Sequence, residues 1–476
     1  MTDLLDEINS EIIAKEQTYS FVNKLITGDM WADGDGWIGP TINQSETQIL
    51  NLIKKEFTYT NLLTEVISRH VHSITFKHPS LITNDATLQT LLAKDEDKDD
   101  DETWYELSEA NKVYEKALKH AQWSGSSVIR AFVPRQATNE LDDGTVVVKE
   151  FPFEELIYKL KLSAPNPLTS GIIKDADNVE ICGYYQYKEK IIGNDSKVIN
   201  NTVLEIVGVK SAMMPYGLPE EVLNEDDDAT LVIIFEGMGG DTQRYKTHAA
   251  YPLGGYSLIT EVETNVLIDS GVISRQLQHN LASTMTTHNV INDGFRERII
   301  MNAMRPGYWI DENGNTLSGY QAGARFSFTK MLKGAGVDNM LMGAPLMDNG
   351  ALKGYTNPSV HESQPVNPQT TLLTQDNAEY MLYKAVKQLH ALTGNQLALS
   401  GEARTRAMDD FRVSLASSIH AYEYSLQNGL SSFFRLCMFL ASDGQELPDL
   451  VIKAKAKPYF GASEEMGEVQ NELSAV

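Results

Sequence analysis

Cysteine is scarce, with only Cys182 and Cys437 in 476 residues. Two thiols so far apart exclude a disulfide framework and a zinc ligand set, and a reducing cytoplasm is the expected setting. Positive charge is also short: 40 Lys and Arg face 65 Asp and Glu, a formal charge of −25. A module that grips nucleic acid needs a basic patch to neutralise phosphates, and this chain would on average repel DNA. No apolar run approaches the roughly 20 residues needed to cross a bilayer. The acidic start, Met1-Thr-Asp-Leu-Leu-Asp-Glu7, lacks the basic region of a signal peptide. No low-complexity tract is present, and 42% of the residues are apolar, so wholesale disorder is excluded. A soluble chain that is not exported by a standard route is expected.

Catalytic signatures are missing too. There is no Gly-x-x-x-x-Gly-Lys-[Ser/Thr] phosphate loop and no Gly-x-Ser-x-Gly nucleophile elbow. Gly237-Met-Gly-Gly-Asp241 reads as a turn closing a strand. Asp95, Asp97, Asp99 and Glu106 fall at positions 1, 3, 5 and 12 of a calcium loop, but Asp100 stands where glycine is needed and Glu102 where an apolar residue is needed. That run reads as a solvated loop, as does Glu225-Asp-Asp-Asp228. His70 and His72, two apart on a helix, point about 200° from each other and do not share a metal. His279, His288, His390 and His420 stand singly on long helices. No catalytic residue, metal or cofactor is assigned.

What remains is an order of elements. At this length two or more structural units are expected. Apolar spacing predicts helices over 3–26, 46–73 and 104–121. A turn, Gly125, and then a strand to Val133 follow. Segments 145–151, 155–162, 179–192, 202–209 and 229–236 read as antiparallel strands, with a hairpin at Asp143-Gly144. From Tyr256 to Ile291 there is no proline, and Leu258, Val262, Val266, Ile273, Leu277, Leu281 and Met285 keep helical spacing. A helix of that length measures about 54 Å and carries only Glu261, Glu263, Asp269 and Arg275 as charges. Such a helix is expected to pack against others along most of its length.

Residues 292–368 are rich in Gly and Pro, contain a hairpin signal at Asn313-Gly314, and balance seven acids with seven bases. In so acidic a chain, a neutral segment is a candidate docking surface. A second proline-free helix is expected over 370–392, then an uncharged link 393–400. A third long helix follows from Gly401 to about Leu440, with Ser400 as N-cap, Glu402 against the dipole and a kink at Gly429. Leu447–Phe460 is expected to return as a strand, followed by a frayed acidic tail.

This order resembles that of portal proteins of long-tailed bacteriophages. The match rests on Gly254-Gly-Tyr-Ser257 before a long helix, the proline-flanked second helix, Leu399-Ser-Gly-Glu-Ala-Arg404, and the helix–Gly125–strand unit. The resemblance implies an α+β portal fold. Residues 1–255 would be a mixed wing, 256–291 and 369–392 two stem helices, and 292–368 a small α/β clip. Residues 393–400 would be a tunnel loop, 401–460 a long kinked helix with its return to the wing, and 461–476 a tail with the crown short or absent.

It further implies a non-enzymatic, dodecameric ring at one capsid vertex of the virion, assembled in the host bacterial cytoplasm. That ring would pass double-stranded DNA during packaging and ejection. Its implied partners are the terminase large subunit, the head–tail adaptor, the major capsid protein and the scaffold, with no membrane. Asn395, Gln396, Leu397, Ala398, Leu399 and Ser400 would face DNA, and Arg296, Arg298, Arg305, Tyr308 and Trp309 would serve docking at the clip. Twelve copies would carry about −300 formal charges, so an acidic bore would disfavour tight binding of the duplex. Other readings of the same residues are a minor head or connector protein, and a metal-dependent hydrolase built on the acidic runs.

Overall fold

A computed structural model of the chain describes residues 2–29, 58, 60–93, 103–140, 146–192, 198–238, 244–294, 298–304, 307–328, 342–349, 351–362, 368–392, 401–442 and 449–460. The architecture is mixed α and β, and the chain divides into two units. One comprises residues 1–42, 59–280 and 376–476, and the other residues 43–58 and 281–375.

The larger unit is built on a five-stranded antiparallel meander: Ser170–Lys174, Glu180–Ile192, Val198–Val209, Thr230–Met238 and Arg244–Tyr251, in spatial order of sequence. Its β-branched and aromatic alternation gives one apolar face, where Tyr184, Leu204, Ile206, Leu231 and Ile233 are fully buried. The Thr2–Thr27 helix covers that face through Leu4 and Ile8, and Lys15 Nζ anchors it by donating to the Ser170 carbonyl at 3.0 Å. A second sheet orders Ile259–Glu263, Ser126–Phe132 and Lys161–Ser163 side by side. Arg130 of its central strand forms a two-pronged, buried pair with Glu205 of the meander, Nε to Oε1 at 2.6 Å.

The Ala416–Ala441 helix runs through the middle of this unit, burying Tyr422, Leu426, Phe433, Phe434 and Cys437. Trp104 packs on Phe433 and Phe434, with ring centroids 5.1 and 4.7 Å away, and donates from Nε1 to the Ile157 carbonyl. The chain closes with Ile452–Lys455 paired antiparallel to Ser80–Thr83. Cys182 and Cys437 are both free and buried.

Several expectations change here. Residues 256–269 are not helical: Ile259–Glu263 is a strand, and the helix runs from Ser270 to Gly294. The spacing of Leu258, Val262 and Val266 is four, which suits a helix turn and equally a strand of period two. Asp269 Oδ1 accepts from the Val272 amide at 2.8 Å and supplies the real helix start. Segment 155–162 opens as a helix, Phe153–Lys159, behind Pro152 and with Glu154 and Glu155 in the first turn. The 104–121 helix is split into Trp104–Leu107 and Ala110–Ser124 by Glu109 in the left-handed region. The helix placed at 46–73 is observed as Leu62–Thr75, N-capped by Asn61, and residues 46–57 lie outside the described ones. The Ala416–Ala441 helix continues through Gly429. The break is at Leu415, whose amide is shared between the Phe411 and Arg412 carbonyls. At Gly429 a Cβ would sit 2.5 Å from the Tyr114 hydroxyl, so glycine is there for close packing.

The smaller unit holds the ends of two helices, residues 281–294 of Ser270–Gly294 and 368–375 of Pro368–Ala385, joined by a Thr286–Thr371 hydroxyl bond at 2.9 Å. Between them lie short antiparallel pairs: Arg298–Met301 with Ser359–Glu362, Ala303–Met304 with Met342–Gly343, and Pro345–Asp348 with Ala351–Tyr355. Gly307–Ile310 is flanked by Thr316–Leu317 and Arg325–Phe328. The Asn313-Gly314 hairpin is present, with Gly314 at φ 84°. In the insert expected to be α/β, the described elements between Arg298 and Glu362 are all strands.

Candidate functional site

The segment that carries functional expectations is the helix–insert–helix stretch and the link after it. The Ser270–Gly294 helix buries uncharged polar side chains. Gln276, Asn280 and Thr284 are fully buried, and His279 is nearly so. Gln276 Oε1 accepts from the Leu62 and Leu63 amides at 2.9 and 3.2 Å, satisfying donors that the start of Leu62–Thr75 would otherwise leave open. Gln276 Nε2 donates to the Thr60 carbonyl, and Asn280 Oδ1 accepts from the Thr60 amide. Thr284 accepts from the Thr58 amide and donates to the Thr58 carbonyl. Burial raises the Glu379 carboxyl pKa against the opposing pull of His279. The polar stripe 276–280–284 was readable as a spacing of four, but nothing in the sequence said what backbone it would satisfy.

In the insert, Trp309 is a core residue. It packs edge-on against Tyr320 and Phe326, and its Nε1 donates to the Tyr355 hydroxyl at 3.2 Å. The reading of Trp309 as a docking side chain therefore gives way to its neighbour Tyr308, which is exposed together with Met301, Phe328, Leu346, Met347 and Tyr355. Arg298 lies in a strand, opposite Glu362 in register. Arg296 and Arg305 lie outside the described residues, as do Asn395, Gln396, Leu397, Ala398, Leu399 and Ser400. The helix expected over 370–392 is observed as Pro368–Ala385. It is followed by Lys387 in the left-handed region and a short 3-10 turn at Leu389–Ala391. Three leucines of the flanking helices, Leu281, Leu372 and Leu373, are exposed on the single chain.

The acidic runs can be placed in part. Residues 94–102 lie outside the described ones, whereas Glu106 closes a capping box by accepting from the Thr103 amide at 3.2 Å. The run 225–228 is tied down around Lys210. That buried ammonium donates to the Leu223 carbonyl and Asp227 carboxylate at 3.0 Å each, and to the Glu225 carbonyl. No cluster of three metal-ligating side chains occurs among the described residues. His70 is buried and His72 exposed, on opposite sides of their helix.

A cleft of about 710 Å³ is bordered by Lys174, Glu180, Glu261, Glu263, His420 and Tyr424. Burial raises the Glu180 and Glu261 carboxyls. Lys174 bridges Glu261 at 2.7 Å and Glu263 at 3.0 Å, so these acids are spent on an ion-pair network. Among the described residues no helix is long and apolar enough to cross a membrane. No protein-family model matches the chain, and no curated protein matches it.

Proposed function

We propose that the chain is a portal subunit, a non-enzymatic ring-forming component of a phage capsid vertex that passes double-stranded DNA. What supports this reading most is the succession of elements. A long charge-poor helix enters an insert whose described elements are short strands, a second helix leaves it, and a long helix broken at Leu415 follows. In the proposed ring, the helices flanking the insert line neighbouring subunits. Leu281, Leu372 and Leu373, exposed on the isolated chain, then have a partner to bury against. A formal charge of −25 per subunit keeps the duplex sliding instead of bound. The insert, where Tyr308, Phe328 and Tyr355 are exposed, receives the packaging motor and later the adaptor.

The test is assembly of the Leu372→Asp, Leu373→Asp double variant, followed by mass photometry beside the wild type. The ring reading expects wild-type oligomers near twelve subunits and their loss in the variant at an unchanged melting temperature. A wild type that stays monomeric at micromolar concentration in the presence of scaffold and capsid protein contradicts it.

A further inference from the structure

One arrangement of side chains occurs twice in this chain, once filled and once open. On the Ser270–Gly294 helix, Gln276, Asn280 and Thr284 stand four residues apart and hold the backbone of Leu62, Thr60 and Thr58 in turn. The spacings agree: four residues of helix rise about 6.0 Å, and two residues of extended chain span about 6.6 Å. On the Ala416–Ala441 helix, His420, Tyr424 and Asn428 repeat the interval along one wall of the cleft of about 710 Å³. Among the described residues, none of these three side chains has a hydrogen-bond or ion-pair partner.

The rest of the cleft is also unsatisfied. Thr260 lines it at 7% exposure, and its hydroxyl has no partner among the described residues. A polar group so nearly buried gains from any ligand that bonds to it. Three carboxylates border the cleft, and Lys174 is shared by two of them, Glu261 and Glu263. Glu180 is in no ion pair among the described residues, and the Ser257 hydroxyl is its hydrogen-bond partner. The open groups include both donors and acceptors, as a peptide backbone requires, and the charge favours a cationic side chain beside that backbone. A second copy of this chain, itself at −25, is a poor source of such a segment.

We propose that this cleft binds an extended, basic peptide segment of another protein. Its backbone bonds to His420, Tyr424, Asn428 and Thr260, and a Lys or Arg side chain lies beside Glu180. The proposal stands independently of the portal reading.

The test is isothermal titration of the full chain with an end-blocked heptapeptide, Thr-Lys-Thr-Lys-Thr-Lys-Thr. Two controls accompany it: the same peptide with Glu for every Lys, and a copy methylated on every backbone nitrogen. The lysine peptide is expected to bind about tenfold or more tighter than the glutamate peptide, and methylation to weaken it at least about tenfold by removing the backbone donors. Tyr424→Phe and Asn428→Ala should each weaken it about three- to tenfold at an unchanged melting temperature, because Tyr424 is exposed and Asn428 half-buried. Glu180→Gln should narrow the preference for lysine over glutamate about threefold or more. Equal binding of the methylated or the glutamate peptide, no heat with the lysine peptide, or binding untouched by Tyr424→Phe and Asn428→Ala each overturns the proposal. Self-association that these variants abolish, with no peptide uptake, gives the cleft to a second copy and overturns it too.

Discussion

Replacing Gly429 by alanine tests the packing of the long helix against the tyrosine cluster beneath it. A Cβ at this position would sit 2.5 Å from the Tyr114 hydroxyl, well inside contact distance. The phenol has no room to retreat: Tyr114 is 1% exposed and braced by Tyr105 and Tyr422 at centroid distances of 6.0 and 6.4 Å. Overpacking of this kind costs about 2–3 kcal/mol, and alanine's better helix propensity returns about 1 kcal/mol. The net expectation is a loss of about 1–2 kcal/mol.

Tyr114→Phe reverses the sign. The Tyr114 hydroxyl is buried without a partner, so its removal alone is neutral or stabilising by up to about 1 kcal/mol. With the oxygen gone, the nearest ring atom is 3.5 Å from the new methyl group, an ordinary contact. Gly429→Ala in that background should then stabilise by about 1 kcal/mol. Urea unfolding of the four species in a double-mutant cycle reads a coupling of about 2–3 kcal/mol. An effect of Gly429→Ala that is the same in both backgrounds would refute the reasoning and return Gly429 to the role of a kink.

Other expectations follow from buried polar groups. Burial lowers the His70 pKa from 6.5 to about 4, so the unfolded chain takes up a proton on this residue that the folded chain refuses. Stability should therefore fall as pH drops from about 6.5 to 4, by on the order of 3 kcal/mol for this group, and His70→Asn should flatten the slope of the urea midpoint over that interval. Arg130→Met, which strands the buried Glu205, should cost about 3–5 kcal/mol, whereas adding Glu205→Leu should recover most of it in thermal unfolding. Lys210→Met removes the clamp on residues 223–227. It should expose that loop to limited proteolysis while leaving the meander's amide protection unchanged.

The parts of the fold legible in the sequence were those with one unambiguous period. The meander strands Glu180–Ile192 and Thr230–Met238 and the first helix lie where alternation and helical spacing placed them. Legibility failed where two periods coincide, as at Leu258, Val262 and Val266, a spacing of four that reads either way. It failed again where a local cue outranks composition: Pro152 with two following glutamates starts a helix inside a β-branched stretch. At the candidate docking surface, aromatic residues adjacent in sequence were separated by strand alternation. Trp309 is turned into the insert's core and Tyr308 to its surface, a distinction that pairing with Arg325–Phe328 decides.

The proposed portal role requires that this chain form a ring with an open bore. The measurement is negative-stain electron microscopy of the purified protein, alone and with the scaffold and capsid proteins that the portal proposal requires. A portal subunit gives top views of a closed ring of about twelve subunits around a central hole wide enough for a duplex. A population of compact dimers without a hole, unchanged by those partners, would contradict it.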